Sequence, residues 1–304
     1  MNANIDQIAD DLTLITLNPP IDGFDNFISS WLYQGEVSFL VDVGPASTAE
    51  ALLKVLDDAN VAHLDYILLT HIHLDHAGAI GEIAARFPKT PIVCHPAGIP
   101  HLVEPARLWE GTKKVLGSTA EGYGPIQAVA AERFVDAEQF TSETIVPLLT
   151  PGHASHHVSY NTENYLFAGE TAGVYYAISQ NRFYLRPATP PRFFFDTAVA
   201  SIDKLIAGKP TRLCYGHYGI TDDGIDKLKT TRRQLFSWKA IIEDQINKSN
   251  TEDLIESCKA RLLREDPLAA NFAALPESAK KREDYFLRNS IKGFIGYLES
   301  IRPA

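Results

Sequence analysis

At 304 residues, with 45% hydrophobic and 22% charged side chains, the chain can bury a full core and has room for a second, smaller unit. A net charge of −10 argues against nucleic acid as the main partner, because phosphate binding needs a basic field. Cys94, Cys214 and Cys258 are scattered and lack CxxC spacing, no run approaches the ~18–20 apolar residues of a membrane span, and the polar start 1–6 has no leader-like apolar region, so the expected home is a reducing cytoplasm.

Residues 12–17 alternate as a strand, and 27–33 and 37–43 flank Gln34-Gly35-Glu36 as a hairpin. Helical spacing follows over 48–59, with Thr48 as the expected N-cap. A strand over 66–70 leads into a dense polar cluster, and another is expected over 90–95. Residues 97–131 are irregular and helix-prone, with Trp109, Tyr123 and many small residues. Strands are expected over 144–150, 158–160, 165–168 and 213–215. After Gly219 the pattern turns helical. Ile225, Leu228, Leu235, Trp238, Ile242 and Ile246 form one stripe. Leu254, Cys258 and Leu262 form a second behind Asn250 or Thr251 as cap, and Leu287, Ile291, Phe294 and Leu298 a third. These stripes predict core packing of a helical unit.

The chemistry concentrates in Thr70-His71-Ile72-His73-Leu74-Asp75-His76. Four side chains of the kind that bind first-row cations stand within six residues, a set suited to zinc or a similar metal. On an extended loop His71 and His73 point to one side, whereas the adjacent Asp75 and His76 diverge. The cluster therefore feeds two neighbouring metal positions more easily than one. Further ligands must come from elsewhere. His153, Glu170 and His217 each follow a glycine at an expected strand end, where glycine permits the sharp turn that aims the next side chain into a cleft. Taken singly, each would be an ordinary turn residue.

In this order and context, His71-x-His73-x-Asp75-His76, Gly152-His153, Gly169-Glu170 and Gly216-His217 resemble the metallo-β-lactamase superfamily. The stretch Thr150-Pro151-Gly152-His153-Ala154-Ser155-His156-His157 resembles its glyoxalase II-like branch. The resemblance spans roughly 12–219. It implies an α/β fold, a four-layer αββα sandwich with the metals at one edge, over residues 1–220, followed by a helical C-terminal extension over 221–304. It also implies His71, His73 and His153 on one metal, and Asp75, His76 and His217 on the other. Glu170 stands where the family usually has a bridging aspartate; its extra methylene leaves open whether it bridges both metals or binds one. Asp42 matches an aspartate that orients a metal-bound histidine, a role that suits a ligating imidazole's second nitrogen. His157 is expected to be structural, and His63, His95 and His101 carry no motif.

The expected cofactors are two zinc ions, with iron and manganese as alternatives. The expected activity is hydrolysis of an ester, thioester or lactone of a small acid by hydroxide made available at the metals. Asp75 would hold that hydroxide and take its proton. The expected partner is a small-molecule substrate. Tyr175, Tyr184 and Arg186, in an aromatic and proline-rich stretch after Glu170, are candidates for its pocket. Lys227, Lys229, Arg232, Arg233 and Lys239 read as a solvated helix face. Two rivals share the ligand pattern: a mononuclear iron oxygenase of the persulfide dioxygenase type, and a metal-dependent nuclease. The helical extension is expected to cover the cleft; docking on a remote face or on a second copy of the chain is the alternative.

Overall fold

The computed structural model describes residues 3–248 and 253–302. A seven-stranded sheet comes first: β1 (Ala3–Ala9), β2 (Leu12–Leu17), β3 (Ile28–Gln34), β4 (Ser38–Val41), β5 (Tyr66–Leu68), β6 (Ile92–Cys94) and β7 (Phe134–Asp136), ordered as in the chain. β1 to β4 pair antiparallel, and β4 to β7 pair parallel. The helices among them are α1 (Ala49–Asp58), α2 (Leu74–Ala77), α3 (Ile80–Arg86), α4 (Ile99–Val103), α5 (Ala106–Leu116) and α6 (Ser118–Tyr123). The second half adds β8 (Val146–Leu149), β9 (Val158–Asn161) and β10 (Tyr165–Gly169), then a separate hairpin, β11 (Val174–Ser179) and β12 (Arg182–Arg186). α7 (Phe195–Ala207), β13 (Arg212–Tyr215), β14 (Ile220–Thr221), α8 (Gly224–Lys248), α9 (Leu254–Glu265) and α10 (Glu277–Ser300) complete the chain. The second sheet runs β14-β13-β10-β9-β8.

Strand periodicity sorts the core into three layers. In β2, Leu12 and Leu14 face the second sheet, while Ile15 and Leu17 face the helices. In β10, Tyr165 and Phe167 face the first sheet, while Leu166 and Ala168 face α7 to α10. β13 splits the same way, with Cys214 inside and Leu213 and Tyr215 outside. Both faces of each sheet are therefore covered, giving the αββα sandwich. The three C-terminal stripes supply the outermost layer, with Trp238, Ile242, Cys258, Leu262, Ile291 and Phe294 all fully buried.

Three local expectations change. Thr48 does not cap α1 with its side chain; its hydroxyl donates to the Pro45 carbonyl at 2.9 Å, closing a short 3-10 turn. Asn250 and Thr251 lie outside the described residues, and the cap of α9 is Asp253, whose carboxylate accepts from the Glu256 amide. The basic stretch of α8 is not simply solvated: Arg232 pairs with Asp203 at 2.6 Å, and Lys227 and Lys239 sit over the rings of Phe183 and Phe195. Cys94 and Cys214 are buried on strands, with thiols pushed up by burial, that of Cys94 to about 12. No described helix is long and apolar enough to cross a membrane.

Candidate metal centre

The ends of β5, β8, β10 and β13 open at one edge of the sandwich and are laced together by main-chain bonds. The Val158 amide donates to Thr70, Gly216 to Gly169, and Ser29 to Gly216. Two glycines are required for this closeness. Gly169 has φ +53°, and a Cβ there would lie 2.4 Å from His157 Nε2; a Cβ on Gly216 would meet His76 Cε1 at 2.8 Å. The turns that follow aim Glu170 and His217 at the loop 71–76.

Two donor groups result. His71, His73, His153 and Glu170 form one, and Asp75, His76 and His217 the other, with the donor atoms of each within 4.8 Å of one another. In the first, His73 Nδ1 is 3.0 Å from both His71 Nε2 and His153 Nε2, and Glu170 Oε2 is 2.8 Å from His153 Nε2. Glu170 reaches across: Oε2 also lies 3.7 Å from His76 Nε2, and Oε1 lies 3.4 Å from His217 Nε2. Oε2 thus lies beside both groups and Oε1 beside the second.

The opposite nitrogens of four imidazoles are tied down. His76 Nδ1 is 2.8 Å from Asp42 Oδ2, His71 Nδ1 is 3.0 Å from Thr70 Oγ1, and His153 Nδ1 donates to the Ala188 carbonyl at 2.9 Å. His217 Nδ1 donates to the Phe27 carbonyl at 3.3 Å, and its ring stacks on Phe27 with centroids 3.9 Å apart. Such anchoring fixes which nitrogen faces the centre. Asp42 also accepts from the Thr70 amide and hydroxyl, both at 2.7 Å, and reaches them from a left-handed backbone, φ 56°. His157 is structural: its Nε2 accepts the Glu170 amide and its Nδ1 lies 2.9 Å from Thr150 Oγ1.

The residues fit a cation. His76 Nε2 is fully buried and has no hydrogen-bond partner, an orphaned donor atom of the kind a cation satisfies. Burial and neighbouring imidazoles hold His71 and His73 well below the usual histidine range, in the neutral form that coordinates. Burial opposes charge on His76 as well, but the Asp75 and Asp42 carboxylates outweigh it and raise its pKa to about 9. Burial would raise the Glu170 carboxyl, yet the imidazoles of His153 and His217 hold it well below the carboxylate range.

The centre floors a cleft of about 500 Å³. Its walls are α5, the strap Arg186–Pro191 and the face of α10 carrying Phe286, Asn289 and Ser290. The C-terminal helices thus do both things weighed from sequence: α10 edges the cleft, and α8 and α9 pack away from it. Of the three expected pocket residues, only Arg186 lines the cleft. Tyr175 instead stacks on Tyr215, and Tyr184 is fully buried against Leu275 and Ala279, because the β11–β12 hairpin packs inward. Arg186 is itself 3% exposed and bound to Glu283 at 2.6 Å. Sequence reasoning missed Tyr123, His101, His156 and α5 as cleft residues. Tyr123 is 1% exposed, and its hydroxyl has no partner among the described residues. His63 and His95 stay outside, on Asp65 and the Ala97 amide.

An αββα sandwich with paired cation donors at the edge where its strands end defines a metallo-β-lactamase-type protein. The model of the metallo-β-lactamase superfamily matches residues 23–217. The chain belongs to that superfamily. Metallo-beta-lactamase fold-containing protein ST1585 of Sulfurisphaera tokodaii is 26% identical over 267 residues, 84% of this chain and 94% of that protein. The crystal structure of ST1585 from Sulfolobus tokodaii shares the fold, with a TM-score of 0.67 at 20% identity, covering 94% of this chain and 99% of the other. The family protein TTHA1429 of Thermus thermophilus gives 0.62 at 18% identity, covering 96% and 94%. A hydroxyacylglutathione hydrolase of Photobacterium profundum is 31% identical over 147 residues, 48% of this chain and 47% of that enzyme.

Proposed function

We propose that the chain is a metal-dependent hydrolase of an ester, thioester or lactone, with two zinc ions as its cofactor. The observation that carries this reading is the pair of complete donor groups, seven side chains at the floor of one cleft. Two full groups favour a dinuclear hydrolase over a mononuclear oxygenase, and the net charge of −10 disfavours a nuclease. The partial likeness to a hydroxyacylglutathione hydrolase supports thioester chemistry.

His71, His73, His153 and Glu170 would hold one cation, and Asp75, His76 and His217 the other, with Glu170 shared. Bound first-row cations supply Lewis acidity and lower the pKa of water from 15.7 toward ~7. Asp75, on the first turn of α2 and open to the cleft, would orient the attacking water and accept its proton. Asp42 would keep His76 aligned through Nδ1. The Tyr123 hydroxyl would donate to the substrate's carbonyl oxygen as negative charge develops there.

Purified protein reconstituted with zinc should carry close to two ions per chain by elemental analysis, and should hydrolyse members of a thioester and lactone panel without consuming oxygen. One iron per chain with oxygen consumption would point to the oxygenase. Glu170→Gln should weaken binding of at least one ion by ~10-fold or more in a metal titration; an unchanged titration would remove Glu170 from the centre. Tyr123→Phe should lower kcat by about 10²-fold with little change in KM. Thermal stability should hold or rise, since an unpaired buried hydroxyl is lost. Wild-type kcat in that variant would rule the hydroxyl out.

A further inference from the structure

α5 is an amphipathic helix with an unusual placement. It contains no buried residue, yet Leu108, Thr112, Val115 and Leu116 recur at helical spacing and all line the cleft. Val115 is 65% exposed. α5 leans on α4 and α6 and reaches α10 through one long hydrogen bond, from the Tyr285 hydroxyl to the Val115 carbonyl at 3.5 Å. Across the cleft stand Phe286 of α10 and Phe27, whose ring stacks on His217. Apolar side chains thus line the cleft from both α5 and α10, beside a few polar ones, Arg107 and Thr112 on α5 and Asn289 and Ser290 on α10, and the metal donors line the same cleft.

We propose that the cleft between α5 and α10 binds an extended apolar acyl chain, so that the substrate is a medium-chain acyl ester, thioester or lactone rather than a derivative of a small polar acid. This rests on the hydrolase reading for its reaction, but not for its binding. The donor groups line the same cleft, so a chain lying in it can bring its carbonyl to them. The size agrees. A dry apolar cavity of ~150 Å³ holds benzene, so a cleft of about 500 Å³ takes a chain of about eight to twelve carbons beside the reacting group. The chain would also cover the part of the apolar face of α5 that the fold leaves open, Val115 above all. The reaction itself stays a hydrolysis: water adds to the carbonyl carbon, the bond to the alkoxide or thiolate breaks, and that leaving group takes up a proton.

The test has two arms on the zinc-reconstituted full chain. In the first, kcat/KM is measured for thioesters from acetyl to decanoyl. It should rise about two- to fourfold per added methylene until the groove is full. In the second, affinities of n-alkanols from butanol to decanol are measured by calorimetry; they carry no bond to hydrolyse and should rise by a similar factor per carbon. Leu108→Trp, which fills the groove from α5, should flatten both series beyond about four carbons. A flat alkanol series with wild-type protein overturns the proposal. Thioester turnover that ignores chain length overturns it too, while sparing the hydrolase reading. A rising alkanol series with no turnover of any ester upholds the groove and refutes the hydrolase. If Val115→Glu converts a dimer to a monomer in sedimentation and alkanols do not bind, a second copy of the chain covers α5 and the proposal fails.

Discussion

Asp75→Ala is expected to lose about 10³-fold or more in kcat on any substrate that the wild-type protein cleaves. Two losses combine in this variant. Asp75 belongs to the second donor group, 3.8 Å from both His76 Nε2 and His217 Nε2, so its removal leaves that group with two imidazoles and a share of Glu170. It is also the carboxylate of that group that opens to the cleft, so under the proposed mechanism proton transfer from the attacking water would lose its acceptor. General-base contributions alone run to 10²–10⁴-fold. His73→Ala should be as damaging for a simpler reason: its Nδ1 lies 3.0 Å from both His71 Nε2 and His153 Nε2, and the first cation would lose a central donor. Metal analysis separates the two. His73→Ala should drain the first position. Asp75→Ala should keep that position while losing affinity at the second. Near wild-type turnover in Asp75→Ala would discard the assigned mechanism.

The second large effect concerns stability. Glu283, fully buried on α10, lies between two guanidinium groups, Arg186 Nε at 2.6 Å and Arg282 Nε at 3.4 Å. Arg282 also donates to the Gly23 carbonyl, and its guanidinium sits 4.0 Å over the ring of Phe27. Burial disfavours the charge on all three groups. The two arginines outweigh that cost for Glu283 and keep its carboxyl below the usual range, so it is ionised at neutral pH. Glu283→Ala leaves two buried cations facing each other with no anion between them. Breaking a buried pair in this way costs about 3–5 kcal/mol, which corresponds to a fall in Tm of about 5–8 °C for a chain this size. Asp203→Ala is the control, since it removes an exposed pair with Arg232 and should cost less than about 1 kcal/mol. Equal denaturant midpoints for the two variants would show that the cluster contributes nothing of this size.

Much of the centre was legible because its information is local. His71, His73, Asp75 and His76 lie on one turn, and the glycines before Glu170 and His217 mark contacts too close for a side chain. The core strands were legible for the same reason: 12–17 carries strand-like alternation, and 165–168 is a short apolar run ended by Gly169. What escaped depends on distant placement. Tyr123 looks like one more aromatic in a helix-prone stretch, and only the meeting of α6 with α2 brings it to the donors. α5 has the spacing of a core helix, but its apolar face is divided between α4, α6 and the cleft, which the sequence alone does not show. Tyr175 and Tyr184 failed as pocket residues because a hairpin has two faces, and the aromatic composition of 175–186 does not say which face packs on α8 and the 3-10 turn at 269–274. β1, β7 and α7 went unnoticed, since β1 alternates mostly polar residues at a sheet edge and β7 is three residues long.

The donor groups draw on both halves of the sandwich. The loop 71–76 hangs from the first sheet, whereas His153, Glu170 and His217 hang from the second. A cation held by both is a cross-link between residues far apart in the chain, closing a loop that runs from His71 to His217. In the unfolded chain such a closure is entropically costly, and the cost grows with loop length. An ion bound there would act on the whole sandwich as a reversible staple, adding RT ln(1 + [L]/Kd) to its stability per ion. Chelation should then speed amide hydrogen exchange in strands of both sheets together, β5 and β10 alike, rather than in the loops alone.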